Sequence, residues 1–249
     1  PALHLVVGNR LRNGLERLSK SAWLLANPRT SLEVAWLFAS PQLRSMGTVA
    51  GNLLQATRCW YWRLGFDCWL HGGERCLAKD GAHREHAIFG NDLCASAHPS
   101  DVAAALLALG ATVRTTKREL PLAELYRLPS ADDRSTTTLA ADELILELDV
   151  PVPEASTYLK AMDRRKWAFP LVGVAAVRSG DAVRIALAGV APIPWTLDAA
   201  DALDDGTPLV VTLGVSATEL VVDFSGTGPE HAGNLNAPHA VTLACVLYF

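Results

Sequence analysis

SPQLRSMGTVAGNLLQ, residues 40–55, opens the segment that decides how this chain folds, and HPSD, residues 98–101, closes it. Within the opening, Gly47, Thr48, Gly51 and Asn52 form a run of small residues. Their backbone amides can approach and face a bound anion. A glycine-containing turn serves structure more often than ligands, and spacing alone does not separate the two. Four cysteines follow, Cys59, Cys68, Cys76 and Cys94, with eight, seven and seventeen residues between them. This is not the paired Cys-x-x-Cys of a zinc ribbon, nor the compact ferredoxin run. Four thiolates can hold an iron–sulfur cluster if the loop wraps around it. They can equally be ordinary buried thiols, which behave as small hydrophobes, and the spacing leaves both open. His71, His83, His86 and His98 lie in or beside the same loop and read as packing or surface residues, and Cys245 reads as core.

The totals narrow the classes. A chain of 249 residues is long enough for one large or two small domains, each with a core. Hydrophobic residues make up 50% and charged residues 19%, which excludes a disordered chain. No apolar run reaches the ~20 residues of a spanning helix, so no membrane partner is expected. A net charge of −4 without a concentrated basic face excludes nucleic acid as the expected partner. Five cysteines is an odd count. With no charged-then-apolar leader, thiols or ligands are expected rather than a disulfide framework, and the expected compartment is the cytoplasm, with the periplasm open for an assembled complex. No Ser-His-Asp order, HExxH or Walker loop gives a hydrolase or kinase an anchor.

Periodicity divides the chain. Residues 1–39 carry a helical pattern through Leu5, Val6, Leu11, Leu15, Leu18, Trp23 and Leu24, broken at Asn27 and Pro28, with a short helix expected over 31–38. Residues 56–97 lack a period and are punctuated by Gly65, Gly72, Gly73, Gly81 and Gly90. A loop that long usually has a function. Ser100 or Asp101 caps a helix that Gly110 ends. A strand over 111–116, a helical turn over 122–126 and the alternating strand ELILELDVPV, residues 143–152, follow. Pro151 and Pro153 mark a domain boundary, after which strands over 158–162, 173–178 and 183–190 predict a smaller antiparallel-sheet domain. Two more strands are expected within 204–224, and the apolar tail over 233–249 has the pattern of a helix.

Several ordered blocks carry a resemblance. SPQLRSMGTVAGNLLQATRCWYWR, CWLHGGERCLAKDGAHREHAIFG, CASAHPSDVAAALLALGA, DELILELDVPVP, YLKAMDRRKWAFPLVGVAAV and IALAGVAPIPW together resemble the FAD-binding subunit of the molybdenum hydroxylases, the xanthine dehydrogenase and carbon monoxide dehydrogenase family. Within it they resemble the branch with an extra [4Fe-4S] cluster. The resemblance runs over about residues 40–197 and implies an α+β fold. A truncated FAD-binding domain of the PCMH type over 40–152, with the cysteine loop at 56–97, would precede an antiparallel-sheet domain over 153–200, like the C-terminal domain of the carbon monoxide dehydrogenase flavoprotein. It implies that Gly47, Thr48, Gly51 and Asn52 contact the FAD pyrophosphate and that Leu54 lies by the isoalloxazine ring. It further implies that Ser100 and Asp101 bind ribityl and phosphate groups, and that Ile145 and Lys160 flank the ring and its polar edge. Cys59, Cys68, Cys76 and Cys94 match the cluster ligands.

Two departures follow. Ala50 stands where the family usually has a glycine, and the family's first glycine-rich flavin loop is not found, so weak FAD binding is expected. The ends resemble something else. Residues 205–249, with VDFSGTGP and GNLNAPHAVT, resemble the hydantoinase B and oxoprolinase family, and residues 1–31 resemble that family's N-terminal helix, giving a segment 1–39 and a tail 201–249 of that kind. The resemblance implies an electron-transfer subunit whose partners are a large subunit with the molybdenum cofactor and a small subunit with [2Fe-2S] clusters. The alternative is a chimeric or degenerate chain without flavin, a structural piece or a hydantoinase B-like fragment.

Overall fold

The computed structural model describes residues 2–6, 41–163, 168–180, 182–197, 200–202, 208–210, 212–215 and 220–223. In chain order its elements are β1 (Ala2–Val6), α1 (Pro41–Met46), α2 (Val49–Leu53), α3 (Trp60–Arg63), a 3-10 turn (Trp69–His71), α4 (Leu77–Asp80), α5 (Asp101–Leu109), β2 (Thr112–Thr115), β3 (Glu119–Pro121), α6 (Leu122–Leu125), β4 (Ile145–Pro151), β5 (Ala155–Ala161), β6 (Val172–Ser179), β7 (Ala182–Ala188), β8 (Trp195–Leu197), β9 (Ala200–Ala202), β10 (Pro208–Val210), β11 (Thr212–Val215) and β12 (Leu220–Asp223). One sheet has the order β1-β4-β2-β3 and a second β5-β6-β7-β8, while β9–β10 and β11–β12 form two ribbons. Every pairing is antiparallel. The α+β class implied by the sequence is the class observed.

The N-terminal reading needs correction. Leu5 and Val6 head the helical pattern, yet they lie in β1, opposite Leu148 and Glu147 of β4. The free edge of β4 offers unpaired backbone groups that an extended segment satisfies, and this outweighs a weak helical preference. The rest of the proposed helical segment 1–39, including the helix expected at 31–38, lies outside the described residues, as does the tail from 224 onward.

Helix α5 is the centre of the molecule. It packs on β6, β7 and β4 and touches α2 and α6. Asp101, Val102, Ala103, Ala104, Leu106, Leu107 and Ala108 are all buried. Alanines at 103 and 104 let sheet and helix approach closely. Ser100 caps the start by accepting from the Ala103 amide at 2.9 Å, satisfying one orphan donor of the first turn. At the other end Gly110 takes the left-handed conformation, φ 70, which glycine adopts without strain. Arg184 from β7 donates to the carbonyls of Ala108 (2.9 Å) and Leu109 (3.1 Å), placing a cation at the negative end of the helix.

The cysteine loop 56–97 contains only short turns, so its backbone is anchored from outside. The amides of Ile88 and Phe89 donate to the Val190 carbonyl, that of His98 to Ala191, and that of Arg58 to Ala97. Buried Arg58 donates to the carbonyls of Glu85 (2.8 Å) and Gly189 (2.9 Å). Among the described residues no helix is long and apolar enough to cross a membrane.

Leu148 is fully buried where β4 meets the core. Leu148→Ala is expected to cost about 2–5 kcal/mol of stability in urea denaturation. Val183→Ala, at an exposed position, is expected to stay within about 0.5 kcal/mol.

Candidate functional site

Residues 47–52 do not form an open turn. They start α2: Thr48 is its cap, and its hydroxyl oxygen accepts from the Gly51 amide at 3.0 Å. The Gly47 amide donates to Leu43 and the Asn52 amide to Thr48, so three of the expected anion donors are already engaged. Gly51 is exposed, and a Cβ there would meet the Thr48 hydroxyl at 3.0 Å. Ala50 packs against the main core, so its methyl takes no room from a ligand on the open side.

Asn52 connects this turn to the HPSD segment. The Ser100 hydroxyl donates to Asn52 Oδ1 at 2.6 Å while capping α5. His98 reaches the Leu53 carbonyl through Nε2 at 3.1 Å, and its Nδ1 accepts from the Ser100 amide at 3.4 Å. These two contacts make Nε2 the protonated nitrogen. The Tyr126 hydroxyl donates to the same Leu53 carbonyl at 3.1 Å.

Asp101 follows Ser100 at the first turn of α5. Its Oδ2 accepts from Lys160 Nζ at 2.8 Å, with the two side chains only 4% and 1% exposed. Its Oδ1 accepts from the Tyr158 hydroxyl. Burial pushes the Asp101 carboxyl above its ordinary range, against the pull of Lys160. The 2.8 Å ion pair leaves the Lys160 charge balanced by Asp101. Its cross-strand neighbour is Gly173, where a Cβ would stand 2.1 Å from the Tyr158 hydroxyl. A side chain at 173 would expel the tyrosine.

The remaining positions are apart from this chain of contacts. Ile145 is buried in the core at the start of β4, and Leu54 is 40% exposed. Leu54 borders a cleft of about 390 Å³, together with Gln55, Trp62, Leu70, Arg134 and Pro192. Arg134 stacks over the Trp69 ring at 4.9 Å and donates to the carbonyls of Trp69 and Gly73, pinning the middle of the cysteine loop.

Cys59, Cys68, Cys76 and Cys94 are all buried and free. Burial pushes the Cys59 thiol up, with Cys76 and Cys68 close enough to add to the effect. Cys94 donates to Cys76, which lowers the Cys76 thiol and raises that of Cys94. The Ala95 amide also donates to Cys76 Sγ at 3.4 Å, and His86 Nε2 lies 3.1 Å from Cys59 Sγ. Among the described residues no three of His, Cys, Asp or Glu converge closely enough to hold a single metal ion.

Sequence reading missed Tyr158, Arg58, Tyr126 and the part played by His86. Tyr158 stands two residues before Lys160, on the same strand face, so both reach Asp101, yet nothing local marks it. Arg58, next to Cys59 and buried, is the one residue whose position could have signalled its role.

Residues 5–153 match the family described as the FAD binding domain in molybdopterin dehydrogenase, and residues 175–249 match hydantoinase B/oxoprolinase. Among curated proteins the chain is 41% identical over 192 residues to the aldehyde oxidoreductase FAD-binding subunit PaoB of Escherichia coli (strain K12), covering 72% of this chain and 60% of that one. It is 46% identical over 55 residues to 5-oxoprolinase 1 of Arabidopsis thaliana, 21% of this chain and 4% of that protein. Among solved structures it is similar to the carbon monoxide dehydrogenase of Hydrogenophaga pseudoflava lacking the Mo-pyranopterin moiety, with TM-score 0.49 and 21% identity over 80% of this chain and 56% of that one.

Desolvation pushes buried His98 and His86 each down to about 4, whereas an unfolded histidine titrates near ~6.5. Between those values the unfolded chain binds more protons, so stability rises with pH. The contribution is complete above about pH 6.5 and is lost as the pH falls toward about 4. Urea midpoints are expected to drop from about pH 7 to about pH 5, and less steeply in His98→Gln, which is weaker throughout.

Proposed function

Because the chain belongs to the family of FAD-binding domains of molybdopterin dehydrogenases, we propose that it is the FAD- and iron–sulfur-holding electron-transfer subunit of a molybdenum hydroxylase complex of the xanthine or aldehyde dehydrogenase type. One observation supports this most. Residues that match the family's flavin positions come from separate segments, yet hydrogen bonds join them: Thr48 to Gly51, Asn52 to Ser100, and Asp101 beside it to Lys160. Residues 40–152 are taken as the FAD-holding unit and 153–200 as the sheet that carries Lys160.

Bound FAD would supply the redox chemistry, and the chain holds and orients it. Gly47, Thr48, Gly51 and Asn52 receive the pyrophosphate, where the bare exposed Gly51 leaves the close approach that a phosphate needs. Ser100 and Asp101, buried and engaged as they stand, would hold ribityl and phosphate groups, and Leu54 and Ile145 would flank the ring. Lys160 would face its polar edge with a charge that Asp101 already balances. Engaged amides at 47, 51 and 52 and a balanced Lys160 both support weak FAD binding.

Cys59, Cys68, Cys76 and Cys94 would hold a [4Fe-4S] cluster. Four buried free thiols, with the Ala95 amide donating to Cys76 and His86 Nε2 close to Cys59, suit that group. The partners are a large subunit with the molybdenum cofactor and a small subunit with [2Fe-2S] clusters, in the cytoplasm or, for the assembled complex, the periplasm. The hydantoinase B match over 175–249 favours a second reading, a chimeric chain without flavin. Against it, β6 to β8 begin that match, yet they pair with β5 and pack under α5.

Anaerobically purified protein is expected to show flavin bands above a broad iron–sulfur shoulder, with about four iron and four sulfide per chain. Cys68→Ser is expected to lose the shoulder and the iron. In fluorescence titration Gly51→Val, whose branched side chain blocks the phosphate's close approach, is expected to weaken FAD binding at least about tenfold, the equivalent of about one hydrogen bond to a charged group. A colourless protein, or zinc without sulfide, would overturn the reading.

A further inference from the structure

We propose that His86 sets the reduction potential of the cluster by donating a hydrogen bond from Nε2 to Cys59 Sγ; this rests on the reading of the four cysteines as cluster ligands. The imidazole lies 3.1 Å from that sulfur. It is buried, 7% exposed, as are the four cysteines of the same loop. Its other nitrogen, Nδ1, makes no hydrogen bond of ordinary geometry among the described residues, and the His83 backbone is the further polar group near the ring. Packing holds the ring in place: Trp60 meets it edge-on at 4.6 Å and Tyr61 lies 6.0 Å away. The backbone on either side is fixed too, with the His86 amide donating to His83 and the Ala87 amide to Ala95.

The chemistry follows from the acceptor. A thiolate bound to iron is a lone-pair donor with partial negative charge. A bare ring nitrogen facing it at this distance would repel it, so Nε2 carries the proton and donates. Reduction adds an electron to the cluster and increases the negative charge on its sulfurs. A hydrogen bond to one of them therefore stabilises the reduced form more than the oxidised form and raises the potential. Cys76 receives a backbone amide from Ala95, which no side-chain substitution removes. At Cys59 the backbone of Tyr61 and Trp62 also faces the sulfur, but the His86 contact sits on a side chain and can be removed alone.

The test uses the full chain purified anaerobically, with iron and sulfide counted first and the potential followed by EPR. His86→Phe keeps the ring volume and removes the donor. It is expected to retain its iron and to be reduced about tenfold less favourably, a downward shift of ~59 mV for one electron. Full iron content with an unmoved potential would overturn the inference and leave the cluster reading intact. Wild-type protein without iron and sulfide would overturn the cluster reading itself. Pulsed EPR of wild-type protein carrying nitrogen-labelled histidine decides independently of how the variant folds. A weak histidine coupling through a hydrogen bond is expected, whereas no coupling, or the strong coupling of a direct ligand, would overturn the inference.

Discussion

The buried pair between Asp101 and Lys160 joins the two halves of the molecule. Asp101 begins the central helix, Lys160 lies on the first strand of the second sheet, and both are almost wholly removed from water. Removing two ions from water costs more than a simple contact returns unless the remaining lone pairs and protons are satisfied. The Tyr158 hydroxyl does that for Asp101, and the nearby charge of Arg58 adds to it. The arrangement thus depends on several elements at once: a capped helix, a strand in register, and a glycine at 173 that leaves space for the tyrosine. Loss of any one would leave an unbalanced charge in the core.

From that pair a continuous set of polar contacts runs outward. Ser100 caps the helix and holds Asn52, His98 holds the Leu53 carbonyl, and Tyr126 shares that carbonyl. The result is a surface turn whose position is set by buried groups, the supported geometry that a cofactor site needs. The same construction explains why few amides of the turn remain available to an anion. Donors used for rigidity inside α2 are not free for a ligand.

The cysteine loop solves a different problem. With no sheet and only single turns, its backbone is held by carbonyls near residue 190, by Arg58 beneath it and by Arg134 against it. Between those anchors lie the four thiols and His86. A segment of this kind buries little apolar surface of its own, with a small cluster around Trp69, Cys76, Ala78, Cys94 and Ala95. A cluster bound there would therefore act as a cross-link as well as an electron carrier.

Local signals determined much of this protein by themselves. The Ser100 cap and Gly110 stop define α5, the alternation of ELILELDVPV defines β4, and the missing period over 56–97 marks a loop, because each depends on a residue and its near neighbours. The same is true of the candidate residues, whose identities and order carried the family resemblance. Only the tertiary structure decided the rest. It made residues 47–52 a helix start, drew Leu5 and Val6 into a strand against β4, paired Asp101 with Lys160 fifty-nine residues away, and placed His86 on Cys59. The physical reason is common to all four. A hydrogen bond, a sheet edge or a buried charge is satisfied by whichever group the fold brings near, and a partner distant in sequence leaves no mark on the residues around it.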